Sequence, residues 1–317
     1  MRRCRFVSPM TAVALTGVLV AGTSRAQIAP TPPEPLVREG TTEKISTHVY
    51  WIPDNDVPAV SNIGIIVGDR ATLVVDTGLG PRNGETVARE AAKVSRGAAQ
   101  FLAMTHFHPE HDLGAQGLPP TTRVIRPKAQ DLDLTELGLG MAITFATLSP
   151  FNAALLRGAN FRKTDISFDR DYRLDLGGVH VRMSVEGPAH TRGDTAFLVE
   201  EDGVLFTGDI VMPAFPAFQS PYSTVRSWTT ALEHLDAMKP RIIVPSHGGR
   251  GDASMIAAYR QYFEALQTRV RELKAEGKSA DRDGVHGCTG SVRGFGFAGS
   301  QVRVRAARGV DEIDHAG

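Results

Sequence analysis

The ten residues THFHPEHDLG, 105–114, place His106, His108, Glu110, His111 and Asp112 directly behind the apolar run AQFLAM. Imidazole and carboxylate are ligands of zinc-type metals, and a catalytic zinc needs three protein ligands with one position left for water. His106 and His108 are two residues apart, so in an extended segment both side chains fall on one side. Glu110 and His111 follow on a loop bent by Pro109. Taken alone, these ten residues also fit a surface loop that happens to be rich in histidine.

Three residues far along the chain occupy the same kind of place. His190 stands in EGPAHTRGD, Asp209 in LFTGD and His247 in VPSHGG, each behind an apolar, strand-like run. A lone histidine is more often a hydrogen-bonded structural residue, and a lone aspartate a turn former. Loops at strand ends, however, are where functional side chains collect. His48, His180, His234, His286 and His315 have no such setting. No GxSxG run and no cysteine–histidine arrangement offers a rival nucleophile.

The elements that must position these residues are legible from periodicity. HVYWIP, NIGIIVG, ATLVVDTG and AQFLAM read as short strands parted by turn residues such as Gly68–Asp69. Residues 84–96 have the apolar spacing of an amphipathic helix. YRLDLGGVHVRMSVEG reads as a hairpin around Gly177–Gly178, and TAFLVEEDGVLFTGD as another at Asp202–Gly203. TVRSWTTALEHLDAM and the stretch from Asp252 to Gly277 read as helices, with the strand RIIVP between them. Two β-rich halves, each followed by helices, predict an α+β fold with helices outside a sandwich of sheets.

Residues 137–156 run 20 positions without a charge, long enough to cross a bilayer. Pro150, Asn152, two glycines and several hydroxyl residues argue against a span, so the stretch is read as an apolar lid or lining. VMPAFPAFQSPY, 211–222, is read as a second lining segment.

Residues 1–26 have the form of a secretory signal: Arg2, Arg3 and Arg5, the apolar run MTAVALTGVLVAG, and small residues flanking Arg25. The arginine pair only loosely matches a twin-arginine signal, so the export route stays open. Cleavage after Ala26 would remove four arginines and no acids, leaving 31 basic against 35 acidic residues. Cys4 would leave with the signal and Cys288 would stand alone, so no internal disulfide supports the fold. The absence of a Lys/Arg run argues against nucleic acid as a partner. The expected chain is a periplasmic or secreted protein without a membrane span after signal removal, acting on a small molecule. Its parts would be a Pro-rich linker over 27–44, a folded domain over 45–277, and a Gly- and Arg-rich tail over 278–317 expected to be disordered.

The ordered series DTG (76–78), THFHPEH (105–111), GPAHTRGD (187–194), FTGD (206–209) and PSHGG (245–249) resembles the motifs of the metallo-β-lactamase-fold superfamily over residues 45–275. The resemblance implies a four-layer αββα sandwich with metal in a groove at one edge of the sheets. It implies that His106, His108 and His190 hold a first metal, His111 and His247 a second, and that Asp209 bridges them. Asp76 would brace the metal loop from behind. The family usually has aspartate where this chain has Glu110, a carboxylate that would bind the second metal and orient the attacking hydroxide. The extra methylene of Glu110 implies a second metal that is weak, displaced or absent, and that Glu110→Asp would retain or raise its occupancy.

The implied cofactor is zinc, one or two ions, with iron or manganese as alternatives. Zinc lowers the pKa of bound water to about 7. The implied activity is therefore attack by metal-bound hydroxide on a small ester, lactone, thioester or amide-like substrate, with Glu110 or Asp209 holding its proton. β-Lactam cleavage as the main task is a second reading; typical zinc β-lactamases of the family carry Cys or Ser where Asp209 stands. An iron-dependent persulfide dioxygenase would use the same first-metal ligands. A binding protein with a decayed site is a further alternative, which the retained histidines oppose.

Overall fold

Runs such as Ile63–Val67 and Ala71–Val75 have no polar face, so they are stable as strands only where both sides are covered. In the computed structural model, which describes residues 33–277 apart from 98, 214, 215 and 217, all ten of these residues are buried. The expected signal (1–26) and tail (278–317) lie outside the described residues. The first sheet holds β1 (Glu43–Lys44), β2 (Val49–Ile52), β3 (Ile63–Val67), β4 (Ala71–Val75), β5 (Ala99–Ala103), β6 (Arg123–Pro127) and β7 (Ile166–Phe168), side by side in that order. Pairing is antiparallel as far as β4 and parallel beyond it.

The second sheet holds β8 (Asp171–Asp175), β9 (His180–Val185), β10 (Thr195–Val199), β11 (Val204–Gly208) and β12 (Ile242–Pro245), again neighbours in chain order. Both expected hairpins are present, β8–β9 and β10–β11, and β12 joins β11 in parallel. The helices are α1 (Pro81–Val94), α2 (Pro109–Asp112), α3 (Lys128–Asp133), α4 (Leu139–Thr147), α5 (Pro150–Leu155), α6 (Val225–Ala237) and α7 (Ser254–Ala275).

Three apolar clusters hold four layers together. Leu73, Val75 and Ala103 of the first sheet meet Val181, Phe197 and Phe206 of the second. On its other face the first sheet packs Ile65, Val74 and Leu102 against Val87 and Ala91 of α1. Outside the second sheet, Leu205 and Ile243 pack with Trp228, Leu232 and Leu235 of α6 and Phe263 of α7. The buried residues of α6 recur at the spacing of one helix face. Its start is fixed by a capping box, in which Thr224 Oγ1 accepts from the Ser227 N–H and Ser227 Oγ accepts from the Thr224 N–H, both at 3.0 Å. The architecture is the αββα sandwich.

The structure corrects one boundary. Residues 33–44, assigned to a linker on composition, belong in part to the fold. Val37 is buried in the α1-side core, its N–H donates to Asn83 Oδ1 at 2.7 Å, and Glu43–Lys44 pair with β2. The uncharged stretch 137–156 is broken into the end of a π-helical turn (Leu134–Gly138), α4 and α5. No described helix is long and apolar enough to cross a membrane.

One close backbone approach sets α1 against the turn that follows α2. A Cβ on Gly84 of α1 would lie 1.7 Å from the Gly114 carbonyl oxygen, in the 3-10 turn Leu113–Gly117 that directly follows α2. Both contacting groups are backbone, so neither can swing aside. Gly84→Ala is expected to cost about 3 kcal/mol of stability, at the upper end for overpacking, read as a lower urea midpoint. An unchanged midpoint would show that α1 and this turn are free to separate.

Candidate metal centre

Each candidate residue lies just past a strand end, and hydrogen bonds from neighbouring strands fix it there. Asp76 follows β4 with φ +65°, a conformation that aspartate tolerates better than most residues. Its Oδ1 accepts from the Thr105 N–H at 2.8 Å, and its Oδ2 from Thr105 Oγ1 at 2.9 Å and from His111 Nδ1 at 2.9 Å. This fixes the His111 ring with Nε2 left for another partner. Burial alone would lower the His111 pKa, but Asp76 outweighs it and raises it to about 9. The bracing role implied for Asp76 therefore has a geometric basis.

His106 Nε2 lies 3.0 Å from His108 Nδ1, and His190 Nε2 lies 3.2 Å from the same atom. Ligands about 2.0 Å from a tetrahedral zinc stand about 3.3 Å apart, close to both of these distances, and ligand atoms of the three residues all lie within 4.8 Å of one another. All three residues are buried. Burial, then the neighbouring imidazoles, holds His106 and His108 well below the usual histidine range, so their lone pairs are free.

Beside this triad, ligand atoms of Glu110, His111 and His247 lie within 4.8 Å of one another. Glu110 Oε1 is 3.7 Å from His111 Nε2. Asp209 reaches both groups: Oδ2 lies 3.5 Å from His190 Nε2, and Oδ1 lies 3.9 Å from both His111 Nε2 and His247 Nε2. Burial would raise the Asp209 pKa, but His190, His247 and His111 outweigh it and bring it down to about 2. Burial pushes Glu110 up.

Glu110 Oε2, His111 Nε2 and Asp209 Oδ1 are buried without hydrogen-bond partners. Each such group costs about 1–3 kcal/mol, and all three meet in one place, which a cation bound among them would offset. The donor set therefore fits one or two metal ions. Glu110 and His111 stand on a turn of helix, α2, rather than on the bent loop the sequence suggested. Pro109 takes the first helical position, where its missing N–H is not needed.

Other residues support the cluster, and Asn62 among them carries no signal in the sequence because its partners are far along the chain. Asn62 Nδ2 donates to the carbonyls of Pro245 (2.9 Å) and Gly248 (2.7 Å), while its Oδ1 accepts from the Asp54 N–H (2.8 Å). These bonds frame the His247 loop on both sides. Asp194 accepts from the Thr191 N–H and Thr191 Oγ1, closing the His190 loop. Arg126 and Asp112, both buried, pair at 2.7 Å and tie the end of α2 to β6. Asn62→Ala is expected to weaken the second metal by tenfold or more, the usual effect of losing an outer support, and to spare the first. A chelator-competition titration checks this; equal loss of both ions would contradict it.

Described residues of both uncharged segments come beside the cluster. The Phe145 ring of α4 lies 6.3 Å from that of His108. The Gln219 N–H donates to the His190 carbonyl at 2.9 Å, and Phe218 packs on Trp228 at 5.0 Å.

Comparison with known proteins agrees with this fold. An atrochrysone carboxyl ACP thioesterase of Aspergillus fumigatus is 22% identical over 239 residues, which are 73% of this chain and 48% of that protein. The chain thus spans about half the length of this relative. The inverting sec-alkylsulfatase Pisa1 from Pseudomonas sp. superposes with TM-score 0.61 at 15% identity, covering 80% of this chain and 45% of that one. A metallo-beta-lactamase family protein from Thermus thermophilus gives 0.53 at 19% identity, covering 72% and 82%. The sequence profile of the metallo-beta-lactamase superfamily matches residues 56–247, more than half of the chain and the span that holds every candidate ligand, so the chain belongs to that superfamily of hydrolases.

Proposed function

We propose that the protein is an exported zinc-dependent hydrolase of a small ester, lactone, thioester or amide-like substrate. The observation that carries this reading is the convergence of His106 Nε2, His108 Nδ1 and His190 Nε2 beside the unpartnered atoms of Glu110, His111 and Asp209. His106, His108 and His190 would hold one ion, Glu110, His111 and His247 a second, with Asp209 reaching both. When bound, zinc polarises the group under attack and lowers the pKa of water to about 7.

The other tasks fall to the chain itself. Asp209 or Glu110 would accept a hydrogen bond from the attacking water and fix its lone pair toward the substrate. Asp76 keeps the His111 ring from turning. Phe145 of α4 and Phe218 add apolar surface beside the cluster. The net reaction adds water across one bond: the hydroxyl joins the acyl carbon, and the proton goes to the leaving oxygen, sulfur or nitrogen. The name of the fungal relative supports a thioester among these candidates.

A panel of chromogenic ester, lactone, thioester and amide substrates, run with metal analysis of the same sample, tests the reading. Turnover of one class in proportion to bound zinc is expected; zinc-loaded protein that cleaves none would contradict it. Export is part of the proposal and rests on the features of residues 1–26. Exported protein should begin near Gln27 by N-terminal sequencing, whereas a cytosolic protein starting at Met1 would contradict it.

A further inference from the structure

The composition of α4 is not explained by core packing. Its nine residues, LGMAITFAT, carry no charge, and none is buried. A helix apolar on all sides ordinarily belongs inside a core. On its outer face Leu139 and Ile143 are 75% and 56% exposed. On the other face Met141 and Phe145, one turn apart, are half-buried, and Phe145 is the residue beside His108.

Across the imidazole cluster, Phe218 is 39% exposed and rests on Trp228, whose ring lies 6.5 Å from that of His190. Neither 137–156 nor 211–222 contains a charged residue. Arg192 approaches Tyr222 at 4.4 Å, but it is paired with Glu136 and lies 3.4 Å from Asp133. The walls therefore offer a substrate apolar contact and no opposite charge.

We infer that the site takes substrates carrying an unbranched aliphatic chain, which lies along the Met141–Phe145 face of α4 while the scissile group sits at the imidazole cluster. This inference rests on the hydrolase reading and names the substrate class for the same site. Met141 and Phe145 stand about 6 Å apart along the helix axis, a span that a short run of extended methylenes can follow. Burial of apolar area is the attraction on offer, about fourfold in affinity for each methylene fully covered. The half-exposure of Met141 and Phe145 follows, because their covering partner is the chain of the substrate.

The test uses metal-loaded protein with p-nitrophenyl acetate, butyrate and octanoate. Binding of 1-butanol and 1-octanol is measured in parallel by calorimetry. From acetate to octanoate, kcat/KM should rise on the order of tenfold or more, mainly through KM, and 1-octanol should bind tenfold or more tighter than 1-butanol. Phe145→Ser should collapse both ratios at unchanged metal content, and Ile143→Gln on the outer face should leave them. Flat ratios in the unaltered protein would overturn the inference. Collapse by Ile143→Gln would also overturn it, because the outer face meeting aggregated amphiphile would then be the cause. If none of these esters is cleaved, the lactone, thioester and amide substrates decide the hydrolase reading separately, and the alcohols still decide the groove: a preference for 1-octanol that Phe145→Ser removes upholds it.

Discussion

His106→Ala and His190→Ala are each expected to remove the first metal and bring turnover down to background. Three imidazole nitrogens converge at 3.0 and 3.2 Å, and a catalytic zinc retains three protein ligands. Structural zinc sites with four ligands bind with about 10–16 kcal/mol, so one ligand is worth on the order of 3 kcal/mol, roughly a hundredfold in affinity. The loss in turnover exceeds the loss in metal, because a remaining ion would lack its aim. Both side chains are buried, so thermal midpoints should be compared first for the metal-free proteins. Metal analysis with turnover then reads the effect. A variant that kept one tightly held zinc and measurable turnover would show that this triad is not the first site.

Glu110→Asp is expected to lower affinity for the second metal by tenfold or more and to leave the first ion in place. Glu110 reaches the cluster from α2, with Oε1 3.7 Å from His111 Nε2 and Oε2 buried without a partner. The helix holding it is anchored by the Arg126–Asp112 pair and by the close contact of Gly84 with Gly114. Removing one methylene retracts the carboxylate by about 1.5 Å, whereas ligation tolerates only about 0.2 Å. The backbone would have to follow the shorter side chain, and its anchors oppose that. Stoichiometric titration of metal-depleted protein distinguishes the two ions. Equal or tighter binding of the second ion by the aspartate variant would show that α2 shifts freely and that these anchors do not set the site.

The family resemblance implied the opposite outcome for Glu110→Asp, and the two expectations differ in how far the side chain has to reach. The candidate cluster was legible because His106, His108, Glu110 and His111 lie within six residues, and His190, Asp209 and His247 each follow an apolar strand. The distance a side chain must cover depends on where the backbone is pinned. That is set by Asp112 meeting Arg126 and Gly84 meeting Gly114, pairs that no local pattern announces. Asn62 is an extreme case, because it braces the His247 loop through a carbonyl 183 residues away.

The layers of the fold were legible for the opposite reason: strands buried on both faces and one-sided helices write their burial into local periodicity. Short elements were less so. Pro109 was read as a bend where it starts a helical turn, and Val37 was hidden among prolines although it is part of the core.

The most direct test of metal-dependent hydrolysis is turnover by chelator-treated protein, measured before and after adding back zinc, manganese or iron, on whichever substrate the intact protein cleaves. The account predicts background turnover without metal, and recovery with zinc in proportion to the ion bound, with no oxygen consumed. Turnover unchanged by complete metal removal, or recovered by iron alone with uptake of oxygen, would contradict it.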